Sequence, residues 1–227
     1  IELAINEEPS PDRAEIFVAK VSDNGIWEWA ISATAGSGES YGLGMGIAVD
    51  SSGNSYISGQ FTGTVTFGSQ SLTSSDEAAD IFVGKVDDSG TWLWVVKAVV
   101  TPEDEYEVMR IGIAIDGNGN SYITGYMLGT ATFGSNNIIY SSSMEISAFV
   151  AKVSTGGLWS WAIGIDSSQL SLGYGIAFDE SNNVPYAIGS FRGSANFGST
   201  TLNDGGVYVA SIVYADNDGD GVFNHED

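Results

Sequence analysis

One segment of the chain recurs three times, and this internal repeat limits the fold more than any other feature of the sequence. All six tryptophans fall in W-x-W pairs about 65 residues apart. The pairs are Trp27/Trp29, Trp92/Trp94 and Trp159/Trp161. An F-V-[AG]-K-V stretch precedes each pair, at residues 17–21, 82–86 and 149–153, and a degenerate fourth copy occupies residues 208–212.

Three more landmarks follow each tryptophan pair in a constant order. A G-I-A-[VIF]-D stretch ends at Asp50, Asp116 and Asp179. A short segment around Tyr56, Tyr122 and Tyr186 comes next, and a [TN]-F-G-S segment around Phe67, Phe133 and Phe197 closes the unit. Alternation of apolar and polar residues between Gly/Asn-rich turns predicts strands joined as hairpins.

Each unit therefore has four main strands, which we name A (G-I-A-V-D), B (S-Y-I-S-G), C (F-V-A-K-V) and D (W-x-W). The longer connection between B and C, residues 62–80 in the first unit, predicts a small extra hairpin. Because side chains alternate along a strand, both indoles of a pair are expected on one face. Their expected role is packing of one sheet on the next, not ligand binding.

A four-stranded sheet exposes two faces, and stacking of copies hides them. The predicted fold class is all-β: a propeller-like array of four-stranded antiparallel sheets, with three repeats of about 65 residues and incomplete units at both ends. The chain opens with C and D and finishes with A, B and C. Either it is part of a longer polypeptide, or its ends pair with another copy and close a ring or extend a filament.

The repeat resembles the bacterial and archaeal beta-propeller repeat family, whose hallmark is G-I-A-V-D-x-x-G-N-x-Y-x-[ST]-G followed by F-V-A-K. This chain carries the hallmark at residues 46–59, at 112–125 and more loosely at 175–189. The resemblance covers about 200 residues and implies the fold. It implies little about function, since members of the family are mostly uncharacterised surface or secreted proteins.

The last twelve residues predict a calcium-binding loop of the D-x-D-x-D-G type. Carboxylate and carbonyl oxygens at these spacings suit Ca²⁺ better than a transition metal. The predicted ligands are Asp216, Asp218, Asp220, the Val222 carbonyl, Asn224 and Asp227. The loop resembles the calcium repeats of thrombospondin type-3 and dockerin modules, and a disordered acidic tail is the alternative. The predicted domains are an extension at 1–14, the repeat domain at 15–214 and the calcium loop at 215–227.

Charge and composition exclude several classes of protein. The chain has 29 acidic and 7 basic residues, for a net charge of −22. Such a field repels phosphate backbones and anionic lipid, so we expect neither nucleic-acid binding nor membrane insertion. There is no cysteine for a disulfide or a thiolate site, and no apolar run approaches the length of about 18 residues that a membrane helix needs.

No catalytic residue is predicted. The chain has one histidine, His225, within the calcium loop. The aspartates that end the A strands recur with the unit, as structural turn residues do, and so do Lys20, Lys85 and Lys152, whose ammonium groups are expected to meet nearby acids. An acidic segment at 102–107 interrupts the repeat; it is either a solvated loop or a site for a cation or a partner.

The sequence thus predicts a non-enzymatic, extracellular or cell-surface protein of structural or adhesive function, stabilised by Ca²⁺ and self-associating through its incomplete end sheets. The alternative is a propeller module that binds a glycan or a surface protein. A carbohydrate-active enzyme ranks last. A pair of carboxylates could occur among so many acidic residues, but the aspartates that recur do so with the unit, as structural residues do.

Overall fold

A computed structural model describes residues 15–36, 40–75, 78–101, 110–135, 137–140 and 146–212. Within these ranges the chain forms β-strands and no helix, which confirms the all-β prediction. The strands are, in chain order, β1 (Ile16–Val21), β2 (Trp27–Ala35), β3 (Tyr41–Val49), β4 (Ser55–Thr62), β5 (Thr64–Phe67), β6 (Gln70–Thr73), β7 (Asp80–Val86), β8 (Trp92–Thr101), β9 (Ile111–Ile115), β10 (Ser121–Leu128), β11 (Thr130–Phe133), β12 (Asn137–Tyr140), β13 (Ile146–Val153), β14 (Trp159–Ser167), β15 (Leu170–Asp179), β16 (Val184–Arg192), β17 (Ala195–Phe197), β18 (Thr200–Leu202) and β19 (Gly206–Ser211).

The strands form four antiparallel sheets, which we number along the chain. Sheet 1 has the order β1-β2-β5-β6, and sheet 2 the order β3-β4-β7-β8-β11-β12. Sheet 3 follows as β9-β10-β13-β14-β17-β18, and sheet 4 as β15-β16-β19. Sheets 2 and 3 therefore hold the A, B, C and D strands side by side, whereas among the described residues sheet 1 has no A or B strand and sheet 4 has no D strand.

The predicted extra hairpin is present, but the prediction of four-stranded sheets was wrong for the two central ones, which have six strands. The hairpin does not stay with its own unit. β5 pairs with β2 of the preceding sheet, and β11 and β17 pair in the same way with β8 and β14. At the departure point Gly63, Gly129 and Gly193 all have positive φ, a conformation that glycine adopts without strain.

Consecutive sheets pack face to face through apolar clusters. Ile16 and Val18 of sheet 1 pack with Ile57, Phe82 and Trp92 of sheet 2. The same contact recurs between sheets 2 and 3, where the buried residues include Ile81, Val83, Ile123, Phe149 and Val153. Between sheets 3 and 4 it recurs with Ala148, Val150, Ala187, Phe191 and Tyr208. Sheets 2 and 3 thus each turn the Phe face of the C strand to the preceding sheet and the opposite face to the following one.

The two indoles of each W-x-W pair lie on opposite faces, so the prediction of a shared face was wrong. Trp92 pairs with Val86, whereas Trp94 pairs with the adjacent Lys85, because a bulge interrupts the register at this point. Trp92 meets Phe67 of sheet 1 edge to face, with ring centroids 5.1 Å apart. The Trp94 indole donates to the Thr155 carbonyl in sheet 3, at 3.1 Å. One pair therefore ties its sheet to both neighbours.

A buried ion pair fastens the second sheet to the hairpin before it. Asp80 is fully buried and accepts hydrogen bonds from Lys97 Nζ at 2.8 Å and from the Val100 amide at 2.9 Å. Lys97 Nζ also donates to the Thr73 carbonyl of β6, at 2.7 Å. Glu15 and Ser147 occupy the positions equivalent to Asp80, so this contact is not part of the repeat.

The four sheets do not close into a barrel or a ring within the described ranges. The A strands of sheets 2, 3 and 4 contact one another in succession, β3 with β9 and β9 with β15. The described residues also include no helix that could cross a membrane.

The repeat supplies a matched pair of variants that tests the packing between sheets. Phe82 is fully buried, whereas its equivalent Phe17 is 75% exposed. We expect Phe82→Ala to lower the free energy of unfolding by about 3–5 kcal/mol, as loss of a core aromatic does. Phe17→Ala should change it by no more than about 0.5 kcal/mol, as a surface substitution does. Urea unfolding at low protein concentration measures both, and equal effects would contradict the sheet packing.

Candidate functional site

Several predicted features lie outside the described residues: the extension at 1–14, the acidic segment at 102–107, and the calcium loop with its six ligands from Asp216 to Asp227. In the part of the chain that the structure describes, no group of three or more His, Cys, Asp and Glu side chains is arranged to hold a metal ion. The calcium site stays a prediction from the sequence.

The recurring aspartates organise the turns between A and B strands. Asp50 Oδ1 accepts the amides of Ser52 and Asn54, each at 2.9 Å, and Oδ2 accepts Asn54 Nδ2 at 2.8 Å and the Tyr56 hydroxyl at 3.2 Å. Asp116 makes the same set of contacts in the next unit. These acids therefore act as structural turn residues, as predicted.

Electrostatics agree with this geometry. Burial by itself would raise the pKa of the Asp50 carboxyl, but the hydrogen bonds from Asn54, Ser52 and Tyr56 outweigh it and hold the pKa below its ordinary value. Burial raises the pKa of the Tyr56 hydroxyl, and the charge of Asp50 adds to the rise. Tyr56 consequently remains a neutral donor to an ionised carboxylate.

A lysine of the C strand completes this group in the two central sheets. Lys85 pairs in register with Tyr56, and its Nζ lies 4.7 Å from the centre of the tyrosine ring and 3.9 Å from Asp50 Oδ2. Lys152 lies over Tyr122 in the same way, at 5.3 Å. We call this arrangement the Asp–Tyr–Lys group, with members Asp50, Tyr56 and Lys85 in sheet 2.

The end sheets hold the Asp–Tyr–Lys group in separate parts, the aspartate and tyrosine in sheet 4 and the lysine in sheet 1. In sheet 4, Asp179 accepts Asn182 at its turn, but the residue opposite Tyr186 is Ser211, not a lysine. In sheet 1, no described B strand lies beside Lys20, which forms ion pairs with Glu28 and Asp88. The lysine prediction is thus confirmed for Lys20 and Lys85, which meet acids.

The outer face of sheet 1 is apolar and open. It carries Phe17, which is 75% exposed, Trp27, which is 69% exposed, and Val21, which is half-exposed. The equivalent residues of sheet 2 pack against the sheet before them. We call Phe17, Val21 and Trp27 the leading face.

A groove lies beside the leading face, on the side of β1 where no A or B strand is described for sheet 1. It has a volume of about 430 Å³ and is lined by residues 15–19 of β1 and its approach, by residues 42–47 of β3 and by Ile57. Ile47 and Val49 of β3 project on this side and are more than half exposed. Their equivalents in β9 and β15 are partly covered by the preceding sheet.

The outer face of sheet 4 is open as well. Val207 is 81% exposed and Val209 is 71% exposed, and Ile188 lies beside them at about half exposure. The residues equivalent to Val207 and Val209 are Ile81 and Val83 in sheet 2 and Ala148 and Val150 in sheet 3, and all four are buried against a following sheet. We call Val207, Val209 and Ile188 the trailing face.

These two faces are candidate functional surfaces that residue-type patterns do not reveal. Phe17 and Val209 belong to the same strand motif as core residues, so pattern alone places them in a core. The order of strand motifs in the sequence, which opens with C and D and finishes with A, B and C, could have indicated these faces. A motif with no neighbouring sheet against it is exposed to solvent.

Comparison with known proteins adds little. No family model matches the chain, and no curated protein matches it. Among solved structures, it has a likeness to a protein of unknown function from Bacteroides caccae, with 12% sequence identity and a TM-score of 0.28, over 84% of this chain and 73% of the other. A TM-score this low carries no argument, and the resemblance to the beta-propeller repeat family stays a prediction.

The turn aspartates give a pH-dependent prediction. We expect Asp50→Asn to lower the free energy of unfolding at pH 7 by about 1–3 kcal/mol, since hydrogen bonds to a charged acceptor are lost. The pKa of Asp50 is lower in the folded chain, so its contribution is present above the ordinary pKa of about 3.9 and disappears as the pH falls through the folded value.

The difference between wild type and variant should therefore shrink below about pH 4, as measured by chemical denaturation across pH. Asp23→Asn, at an exposed turn, is the matched control and should change the free energy of unfolding by no more than about 0.5 kcal/mol. A constant difference between Asp50→Asn and wild type down to pH 2 would contradict the role of the carboxylate.

Proposed function

We propose that this chain is a non-enzymatic structural or adhesive protein of the cell surface or extracellular space, which assembles through its incomplete end sheets into a ring or a filament. One observation carries the proposal. The leading face and the trailing face are both exposed, and each is the repeat equivalent of a face that is buried in the middle of the chain.

The two faces are complementary and not identical. Inside the chain, the Phe face of one sheet packs against the Ile/Val face of the sheet before it, as Phe149 does with Val83 in one cluster. The leading face of one copy therefore suits the trailing end of another. Such contacts are heterologous, and they close a ring or extend a filament depending on the rotation between copies.

Burial of these residues is large enough to drive association. Transfer of a Val or Phe side chain from water to a packed interior contributes about 1.5–3 kcal/mol each. Several such side chains offset the loss of translational and rotational freedom, which costs at least about 4 kcal/mol. The net charge of −22 opposes association, and added salt screens this repulsion.

A propeller-like ring is the proposed arrangement of the sheets. The succession of A-strand contacts, β3 with β9 and β9 with β15, is the order in which propeller blades lie around an axis. A closed propeller usually has about 4–8 blades. The described residues hold three units, fewer than that number, and two copies joined at both ends would supply six.

Calcium is proposed to stabilise the segment that follows sheet 4. Asp216, Asp218 and Asp220 are closely spaced acids that repel one another unless a cation lies between them. Glycine at Gly221 permits the sharp turn that such a loop requires. Bound cations also reduce the charge that opposes assembly.

The groove beside β1 favours a second candidate, a module that binds another protein. Its apolar lining and open shape suit a peptide segment. A glycan-binding site would need more polar side chains than this groove has, since its lining includes Gly42, Leu43 and Ile47. A chain that stays monomeric and retains one partner protein would favour this candidate over self-assembly.

The assembly itself is tested by the size of the protein in solution. We expect wild type to form complexes of two or more chains, more completely as salt screens the charge, and Phe17→Asp to prevent this, because a carboxylate would be buried without a partner. Leu158→Asp is the matched control. Leu158 is 71% exposed but lies in a turn of sheet 3, away from both faces.

Sedimentation velocity over a range of concentrations measures both variants. A wild-type chain that remains a monomer at the highest concentration, in calcium and physiological salt, would overturn the proposed function. Equal loss of assembly in both variants would argue that any added charge, and not the leading face, is responsible.

Calcium binding has a separate test. We expect isothermal titration to show binding to wild type and a loss of at least tenfold in affinity in the double variant Asp216→Asn, Asp220→Asn, because two ligand charges are removed. Asp23→Asn with Asp204→Asn removes the same charge at two exposed turns elsewhere and should leave the affinity unchanged. No binding to wild type would contradict the calcium loop.

A further inference from the structure

The geometry of the end sheets points to a particular mode of assembly, which rests on the proposed function. We propose that β1 and β2 of one copy enter sheet 4 of a second copy, where β1 pairs with β16 in place of β19. The product, in the order β15-β16-β1-β2-β5-β6, has the six strands and the A-B-C-D-hairpin order of sheets 2 and 3.

The Asp–Tyr–Lys group supports this register. In sheets 2 and 3 a C-strand lysine stands opposite a B-strand tyrosine, Lys85 opposite Tyr56 and Lys152 opposite Tyr122. Sheet 4 has the tyrosine without the lysine, and sheet 1 has the lysine without the tyrosine. Pairing of β1 with β16 in the register of the central sheets places Lys20 opposite Tyr186.

An aromatic contact supports it independently. The hairpin Phe of each unit meets the first Trp of the next sheet edge to face, Phe67 with Trp92 at 5.1 Å and Phe133 with Trp159 at 4.9 Å. Phe197, the third hairpin Phe, packs on Tyr208 of β19 and on Phe191. Within the described residues no tryptophan meets it.

The glycine after each hairpin Phe marks the vacant position. A Cβ placed on Gly68 would lie 3.3 Å from the nearest Trp92 atom, and one on Gly134 would lie 3.3 Å from Trp159. A Cβ on Gly198 would meet nothing within 4 Å among the described residues. Trp27, which is exposed on the leading face, is the first Trp of the pair that would fill this space.

The edge of β1 and the adjoining groove provide the position for β15 and β16 of the second copy. β7 and β13, the equivalents of β1, pair on this side with the B strands β4 and β10, whereas no described strand pairs with β1 there. The groove of about 430 Å³ lies where A and B strands would lie. β15 and β16 of the second copy would occupy it and cover Ile47 and Val49.

β19 is the weaker occupant of the shared position. Residues 207–212 read V-Y-V-A-S-I, whereas β1 reads I-F-V-A-K-V, in closer agreement with I-F-V-G-K-V of β7. No described D strand pairs with β19, whereas β1 brings β2 with it. In the exchange, a β1–β16 ladder of hydrogen bonds therefore replaces the β16–β19 ladder of equal length. The new sheet also contains the D strand β2, the hairpin β5–β6 and the contact made by Trp27.

Engineered disulfides test the exchange cleanly, because the chain has no cysteine of its own. Full-length Lys20→Cys and Tyr186→Cys proteins are mixed, incubated to allow exchange and oxidised with oxidised glutathione. We expect a disulfide-linked dimer on a non-reducing gel, since directly opposed residues of antiparallel strands lie within disulfide reach. Each variant alone, and the pair Lys20→Cys with Ile188→Cys, which is two residues out of register, should give at least tenfold less.

A second pair distinguishes exchange from simple stacking of intact faces. Phe17→Cys mixed with Val209→Cys would cross-link if the trailing face packs on the leading face with β19 still in place. If wild type assembles but only this second pair cross-links, the exchange is overturned and the proposed assembly stands. If wild type does not assemble and neither pair cross-links, the proposed function itself is overturned.

Discussion

Packing of one β-sheet on the next is the interaction on which the rest of this structure depends. A single sheet with two apolar faces cannot be stable in water, and each unit of this chain covers its faces with the units before and after it. The buried clusters between successive sheets repeat the same residues, such as Phe82 and Phe149, at the same positions. Within the described residues, the leading and trailing faces are the two places where no neighbouring sheet provides this cover.

Two devices hold neighbouring sheets in a fixed relation. The hairpin after each B strand crosses to the preceding sheet and extends it, so that no central sheet is made by one unit alone. The bulge beside Lys85 turns Trp92 and Trp94 to opposite faces, which lets one short motif contact both neighbours. Both devices link adjacent units, and both are left incomplete at Trp27 and Phe197. The proposed assembly follows from these unfinished contacts and not from a surface patch of unknown origin.

Much of the fold could be predicted from the sequence. The strands and the turns at Asp50 and Asp116 follow from local pattern, because strand periodicity and turn chemistry are encoded in neighbouring residues. The strand count of the central sheets and the direction of the indoles could not be predicted. A hairpin that pairs with a distant strand looks the same in sequence as one that pairs with its own unit, and a bulge of one residue changes the face of every side chain after it.

The sequence by itself determined that the chain is all-β, that it repeats one unit, and that its ends are unequal, since each of these depends on residue order alone. The exposure of Phe17 and Val209, the separation of Lys20 from Tyr186 and the open space beside Gly198 were decided only by the tertiary structure. The physical reason is that burial depends on which neighbouring sheet is present. Identical motifs become core or surface according to whether another copy of the unit lies against them.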